Sequence, residues 1–160
     1  MPDPSAAAVA AHPIEGLRAA STVPEAQAQN IEAQHYGLAA AVHRLDSERD
    51  QNFRLRTPDG REYVLKIANP AEDRAVTNLQ TEALLHLAAA DPGLPVPRIF
   101  PACNGMTELE IAFDDGSTRV VRLLSFLGGV PMHTVEQSTP LRRSLGSCAA
   151  RLAKGLRDFS

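Results

Sequence analysis

The pattern of hydrophobic and polar positions along the chain predicts a small antiparallel sheet. Residues 53–56 (FRLR) alternate between apolar and polar side chains, as a half-buried strand does. The turn at 57–60 (TPDG) joins this strand to a second one at 61–67, because its proline presets φ and its glycine accepts a positive φ. Two strands joined by a tight turn are antiparallel. Further strands are predicted at 39–45, 98–100, 106–113 and 117–126, so we expect an α+β domain with a sheet of about five strands.

A long helix is predicted after the strand at 61–67. Asn69 is a candidate N-cap, Pro70 suits the first helical position, and Glu72 follows the cap by three residues, as in a capping box. Residues 91–93 (DPG) end the helix. Its predicted apolar face consists of Val76, Leu79, Ala83, Leu84 and Leu87. This helix should cross the sheet.

Lys66 is unusual because a strand rarely carries a charge that has no partner. On the predicted helix, Glu82 lies about 60° from Leu79, at the border of the apolar face, where a partner for Lys66 is expected. A straight helix from Pro70 would put Glu82 ~18 Å along its axis, so we expect a break or a separate turn near residues 72–76. The plain alternatives are a solvent-exposed strand lysine and an ordinary glutamate at the edge of a helix.

Two more helices are predicted near the ends of the chain. The first begins at Pro24 and stops at Gly37. The second follows a glycine-containing hinge at 127–131 and begins at residues 139–140 (TP). Its apolar stripe consists of Leu141, Leu145, Cys148, Leu152, Leu156 and Phe159. Either the chain is a fragment whose further polypeptide covers this stripe, or the helix packs back on the sheet.

Composition excludes several classes of partner. The chain has 160 residues and a formal net charge of −3, so it lacks the global basic field that attracts nucleic acid. No apolar run approaches the roughly 20 residues needed to span a bilayer. Residues 1–24 are rich in alanine and proline and are predicted to form a flexible leader that does not match a signal peptide. A cytoplasmic protein with no nucleic-acid or membrane partner is the simplest expectation.

The metal-ligating residue types show no metal-site pattern. Cys103 and Cys148 are far apart in sequence and match no metal or redox spacing. The five histidines also share no metal spacing; they are His12, His35, His43, His86 and His133. We expect these histidines to be surface residues or satisfied structural residues.

The order of these elements resembles the N-terminal lobe of the aminoglycoside phosphotransferase family, whose members are relatives of the protein kinases. The resemblance covers roughly residues 29–160. It is carried by the strand with Lys66, the helix with Glu82, the two further strands and the hinge. Four phrases resemble one branch more closely: SERDQNFRL, YVLKIANPAEDRA, LPVPR and RLLSFLGG. That branch includes hydroxylysine kinase-like proteins and the kinase-like domain of class III aminotransferase fusions.

The resemblance implies one ATP-binding site that contains Lys66, Glu82 and the hinge. Lys66 would contact the α- and β-phosphates, and Glu82 would orient it. Ser125, Phe126 and Leu127 would form the hinge whose backbone meets the edge of adenine. The plain alternative for these three residues is a strand end that enters a linker.

The loop between the first two strands would cover the phosphates. It contains no glycine, unlike the glycine-rich loop of protein kinases. The side chains of Ser47, Gln51 and Asn52, together with backbone amides, would then bind the phosphates, and Arg49 would add charge. An ordinary polar hairpin turn is the plain alternative for each side chain.

The chemical half of a kinase is missing from the sequence. A catalytic aspartate and the asparagine and aspartate that bind Mg²⁺ are expected in a C-terminal lobe, and no His-x-Asp-x-x-x-x-Asn stretch follows the hinge. We therefore predict a nucleotide-binding lobe at 25–131, and a linker and helix at 132–160 that lead to that missing lobe. The intact protein would phosphorylate a hydroxyl of an amino alcohol, a hydroxylated amino acid or an aminoglycoside-like substrate, and the fragment alone would be inactive. The alternatives are a non-catalytic regulatory or docking module of a larger aminotransferase-fused protein and a homodimer through the C-terminal helix.

Overall fold

The computed structural model describes residues 21–159, so the first 20 residues of the predicted leader lie outside the described residues. The helices are α1 (Glu25–Tyr36), α2 (Arg74–Ala90) and α3 (Thr139–Gly155), and a short 3₁₀ helix spans Met132–Thr134. The strands are β1 (Ala41–Leu45), β2 (Gln51–Arg56), β3 (Glu62–Ile67), β4 (Ile99–Phe100), β5 (Leu109–Ala112) and β6 (Thr118–Ser125). This arrangement confirms the predicted α+β class.

All strand pairs in the sheet are antiparallel. The order is β1-β2-β3-β6-β4, and β5 pairs with the half of β6 that β4 leaves open. The predicted turn joins β2 to β3, with Gly60 at φ 85° and its amide donating to the Thr57 carbonyl over 2.9 Å. The sheet thus has six strands among the described residues, matching the six predicted strand segments, and β6 is paired along both of its edges.

One face of the sheet is an apolar core. Phe53, Leu55, Leu65, Ile67 and Val121 are fully buried, and they share this face because alternate residues of a strand point the same way. Helix α1 covers the face with Ala28, Ile31 and Tyr36. Val23 is also buried in this core, so the end of the predicted leader packs against the sheet.

Helix α2 crosses the opposite face. It begins at Arg74 with Asp73 as N-cap, whose Oδ1 accepts from the Ala75 amide over 2.8 Å. Asn69, the predicted cap, instead closes a separate turn in which its Oδ1 accepts from the Ala71 amide over 2.9 Å. The expected break before the main helix is therefore present, but the predicted cap is wrong.

The predicted apolar face of α2 is also partly wrong. Val76 and Leu79 are exposed, whereas Thr77 and Thr81 are buried against the sheet. The reason lies in the sheet, because Arg122 of β6 donates to the Thr77 carbonyl and to Thr81 Oγ1. The helix therefore presents hydrogen-bond acceptors where a leucine stripe was expected.

Helix α3 packs against the C-terminal end of α2. His86 Nε2 donates to the Gly155 carbonyl over 2.9 Å, and Arg151 forms two hydrogen bonds of 2.7 and 2.8 Å with Asp91. A Cβ atom at Gly155 would come within 2.9 Å of Leu87 Cδ2. None of the residues of α3 is fully buried. Of the two predicted arrangements, packing directly on the sheet is not the one observed.

Among the described residues, none of the helices is long and apolar enough to cross a membrane.

Candidate functional site

A cavity of about 520 Å³ lies between the sheet and α2. Its lining comes from the strands and connectors on one side and from the helix on the other: Asn52, Val64, Lys66, Gln80, Ala83, Leu84, Pro97, Arg122, Leu124 and Ser125. We call this cavity the sheet–helix pocket. It is large enough for a small-molecule ligand.

The strand register places the polar residues of this pocket in one row. Asn52 is the cross-strand partner of Lys66, and Lys66 is the cross-strand partner of Arg122. Cross-strand partners have side chains on the same face, about 4.5–5.5 Å apart at Cβ. The floor of the pocket therefore carries an amide and two cations side by side.

The other end of the pocket is apolar. Two residues along each strand from the polar row, Val64 pairs with Leu124, and Leu84 and Pro97 complete the wall. A single cavity thus offers a cationic end and an apolar end. An elongated ligand with an anionic group and a flat apolar group would fit both.

Lys66 forms an ion pair with Asp50. Asp50 is therefore the partner of Lys66 that the sequence analysis expected Glu82 to be. Glu82 is exposed on α2. Because Thr81 is buried against the sheet and successive helical residues are about 100° apart, the next residue turns toward solvent. The predicted Lys66–Glu82 pair is therefore corrected to a Lys66–Asp50 pair.

Asp50 is held from two directions. Lys66 approaches one carboxylate oxygen, and the Asn69 amide donates to the other over 3.0 Å. Burial by itself would raise the pKa of Asp50, but the hydrogen bonds from Lys66 and Asn69 outweigh it and lower the pKa below its ordinary value of 3.8. Asp50 is therefore ionised at neutral pH and balances the charge of Lys66.

The other loop residues have different partners. Ser47 Oγ donates to the carbonyl of Asp50, which tightens the loop. Arg49 forms an ion pair of 3.2 Å with Glu72 in the turn before α2. Both side chains therefore bond within the loop and the adjoining turn, and their contact with phosphates stays a prediction.

Gln51 lies on the far side of the sheet from Lys66. Strand alternation places it with Phe53, on the α1 face. Its Oε1 accepts from the Val23 amide over 2.7 Å, and its Nε2 donates to the Ser21 carbonyl over 2.8 Å. The predicted position of Gln51 beside the phosphates is corrected, whereas Asn52, the next residue, does line the pocket.

Two of the three predicted hinge residues use their backbone amides in hydrogen bonds within the protein. The Ser125 amide donates to the Arg98 carbonyl over 2.8 Å, and the Phe126 amide donates to the Glu62 carbonyl over 3.2 Å. These two amides therefore bond within the protein, and the contact of the Ser125 and Phe126 backbone with adenine stays a prediction. Leu127 is half exposed beyond the end of the strand, and the role of the hinge stays a prediction.

Arg122 was missed by sequence reasoning. It is 1% exposed, and burial lowers the pKa of its guanidinium below the usual range. Its Nη1 donates to the Thr77 carbonyl (3.1 Å) and to Thr81 Oγ1 (3.2 Å), and its Nη2 donates to Gln80 Oε1 (3.0 Å). All three acceptors are neutral groups of α2.

Two buried polar atoms of the pocket lack hydrogen-bond partners among the described residues. They are Asn52 Oδ1 and Arg122 Nε. Because buried polar atoms are nearly always paired in native proteins, these two atoms indicate a place where a ligand or water binds. Both belong to the polar row.

Within residues 21–159, no group of three or more His, Cys, Asp or Glu side chains could hold a metal ion.

A family model described as the phosphotransferase enzyme family matches residues 41–160. Hydroxylysine kinase of Danio rerio is 36% identical over 132 residues, which are 79% of this chain and 37% of that protein. Hydroxylysine kinase of Mus musculus is 32% identical over 148 residues, 84% of this chain and 39% of that protein. The chain thus spans less than two-fifths of the length of these curated relatives.

Two solved structures share the fold. Amicoumacin kinase in complex with AMP-PNP and Ca²⁺ matches with a TM-score of 0.73 and 16% identity, over 86% of this chain and 41% of that one. A microcompartment-associated aminopropanol kinase matches with a TM-score of 0.64 and 18% identity, over 83% and 41%. These comparisons confirm the predicted fold and the resemblance to the family and to hydroxylysine kinases.

Proposed function

The chain belongs to the phosphotransferase enzyme family, and we propose that it is the nucleotide-binding lobe of a small-molecule kinase. The observation that carries this proposal is the two-ended sheet–helix pocket. Its cationic row suits the phosphates of ATP, and its apolar end suits the adenine base. The relatives named as kinases support the same activity for the whole protein.

Lys66 is the residue we assign to the phosphates. A compact ammonium acts as a point charge for a phosphate oxygen, and its strand fixes it at the floor of the pocket. Asp50 positions Lys66 from the loop between β1 and β2. Because Asp50 is also bonded to the Asn69 amide, the loop, the lysine and the turn before α2 form one connected unit.

The base would lie against Val64, Leu84 and Leu124, next to the C-terminal end of β6. Leu127 is half exposed beyond that strand. It is the hinge residue whose backbone we propose as the contact for the polar edge of the base. Phe126 stacks under the guanidinium of Arg54, 4.2 Å from the ring centre, which stiffens this end of the strand.

The described residues do not supply the chemical step. Mg²⁺, when bound, neutralises charge on the β- and γ-phosphates, but no described cluster fits the ion, and we derive no step through it. We propose that its ligands and the catalytic base belong to a C-terminal lobe of the intact protein. The share of about 40% that the chain covers in its relatives supports this division.

The acceptor we propose is the hydroxyl of an amino alcohol, a hydroxylated amino acid or an aminoglycoside-like molecule. Support comes from the names of relatives and structural neighbours, which are kinases of hydroxylysine, aminopropanol and amicoumacin. The acceptor site would lie in the C-terminal lobe.

The test is ATP binding and ATP-dependent phosphorylation by the intact protein that contains this chain. Lys66→Ala is expected to weaken ATP binding by about tenfold or more, because one charge-assisted contact is lost. Lys154→Ala is the matched control, since Lys154 is the other lysine of the chain and is exposed on α3. Equal binding by wild type and Lys66→Ala, or no ATP binding by wild type, would contradict the proposal and favour a non-catalytic docking module.

A further inference from the structure

We propose that Arg122 is a second, fixed cation for the phosphate groups in the sheet–helix pocket, and that Gln80 keeps its charge available. This inference rests on the proposed function. It assigns a phosphate-binding role to Arg122 and a positioning role to Gln80, two residues that the sequence did not single out.

Arg122 and Lys66 are neighbours in the pocket. They are cross-strand partners in β6 and β3, and both line the same cavity. Like charges directly opposite each other destabilise a sheet unless an anion lies between or beside them. The carboxylate in contact with this row is Asp50, and it pairs with Lys66.

Glu108 is the second carboxylate whose charge acts on Arg122. It is buried, but one of its oxygens pairs with Arg74 and the other accepts from Thr81 Oγ1 over 2.5 Å. Its ion-pair partner Arg74 also pairs with Glu110 over 3.0 Å, so the two carboxylates share one guanidinium. Among the described residues, no carboxylate forms an ion pair with Arg122 itself, and its guanidinium hydrogen-bonds to neutral groups.

The burial of the charged Arg122 side chain indicates that it has a role beyond packing. The side chain is almost fully buried, and its three hydrogen-bond acceptors, on Thr77, Gln80 and Thr81, are neutral. A buried charge that is hydrogen-bonded only to neutral groups costs free energy, so a structure that keeps one has another use for it. The Nε atom, buried and without a partner among the described residues, adds a donor that a phosphate oxygen could satisfy.

The identity of residue 80 separates two roles for Arg122. If Arg122 only fastened α2 to the sheet, a carboxylate at position 80 would serve better than an amide, because charge-assisted hydrogen bonds are stronger. Gln80 holds Nη2 at 3.0 Å without cancelling the charge. The neutral acceptor therefore fits a cation that is kept for an incoming anion.

The experiment is Gln80→Glu in the intact protein, read out by ATP affinity in titration calorimetry and by melting temperature without ligand. Gln80 is exposed, so the substitution preserves the core. We expect an unchanged or raised melting temperature, since the new carboxylate would pair with Arg122, together with ATP binding weakened by about tenfold. Asn78→Asp is the matched control, because it adds the same charge at an exposed position of α2 outside the pocket lining, and it should change ATP affinity by less than about twofold.

Arg122→Lys and Arg122→Met give a second comparison. Arg122→Lys keeps the positive charge, so it should bind ATP more tightly than Arg122→Met. This difference should hold even if both substitutions lower the melting temperature by the same amount. Equal ATP affinity in these two variants would count against the inference.

The two proposals fail in different ways. If Gln80→Glu binds ATP as tightly as wild type or more tightly, Arg122 is a structural strut and the inference is wrong, while the proposed function stands. If wild type itself does not bind ATP, the proposed function fails and the inference fails with it.

Discussion

Each face of the sheet is covered by a helix whose composition is the opposite of what that face would suggest. Helix α1 is mostly polar, with only Ala28, Ile31 and Tyr36 turned inward as its apolar contribution, yet it covers the apolar core. Helix α2 is rich in leucine and alanine, yet it turns Thr77 and Thr81 toward the sheet. The buried side of a helix is therefore decided by what the opposing surface presents, in addition to the helix's own pattern.

The difference follows from the strands. On the core face, the alternate residues of the central strands are apolar, and Ala28, Ile31 and Tyr36 of α1 pack with them in one cluster that excludes water. The other set contains Asn52, Lys66 and Arg122. A leucine stripe on this side of α2 would leave the buried guanidinium of Arg122 without the acceptors on Thr77 and Thr81, and an unpaired buried charge costs more than apolar contact gains. The polar face stays open as a pocket for that reason.

The largest expected effect compares adjacent residues of β3. Leu65→Ala on the core face should lower the free energy of unfolding by about 2–5 kcal/mol, because it leaves a cavity in a closed core. Val64→Ala on the pocket face should cost about 1 kcal/mol or less, since the residue is only half buried. Urea unfolding measures both. Equal losses would show that the two faces are packed alike.

An intermediate effect is expected at Asp50. Asp50→Asn should cost about 1–2 kcal/mol at pH 7, because the pair with Lys66 is half-buried and charge-assisted. The folded-state pKa of Asp50 is lowered, so its contribution is complete above the ordinary value of 3.8 and is lost as pH falls through the folded-state pKa.

Unfolding curves from pH 7 to pH 3 should therefore show the wild-type advantage over Asp50→Asn shrinking at the acidic end. Asp46→Asn serves as control, since Asp46 is exposed in the same loop. An advantage that stays constant down to pH 3 would mean that the charge of Asp50 does not contribute to it.

The smallest effects are expected on the outer side of α2. Glu82→Ala should change ATP affinity by less than about twofold and unfolding free energy by less than about 0.5 kcal/mol, because the side chain is exposed. Leu79→Ala should be equally mild, since Leu79 is 59% exposed. A large loss of ATP binding in Glu82→Ala would show that α2 rotates to bring Glu82 to Lys66 when nucleotide binds.

Local signals were sufficient for most of the fold. The alternation in β2 and β3 and the turn that ends at Gly60 are properties of neighbouring residues, so the hairpin was predictable. The cap of α2 was not. Asn69 and Asp73 are both good caps by residue type, and the choice depends on the Asn69 amide donating to Asp50, a contact between distant parts of the chain.

The sequence was sufficient to predict Lys66 as a site residue, but it was not sufficient to predict the carboxylate that pairs with Lys66. Lys66 stood out as a charge in an apolar strand, and the same reasoning applied to Arg122 would have found it inside the most apolar strand of the chain. The partner could not be found this way. Whether Asp50 or Glu82 reaches Lys66 depends on the rotation of α2 and on the path of the loop, which only long-range contacts determine.

The contact between the two C-terminal helices has a consequence for how this sequence can diverge. Gly155 lies so close to Leu87 that a methyl group there would meet its Cδ2 at 2.9 Å. Positions 87 and 155 therefore share one volume, and a larger residue at one requires a smaller residue at the other. In a set of related sequences, we expect these two positions to covary in size, leaving a record of how closely α3 lies against α2.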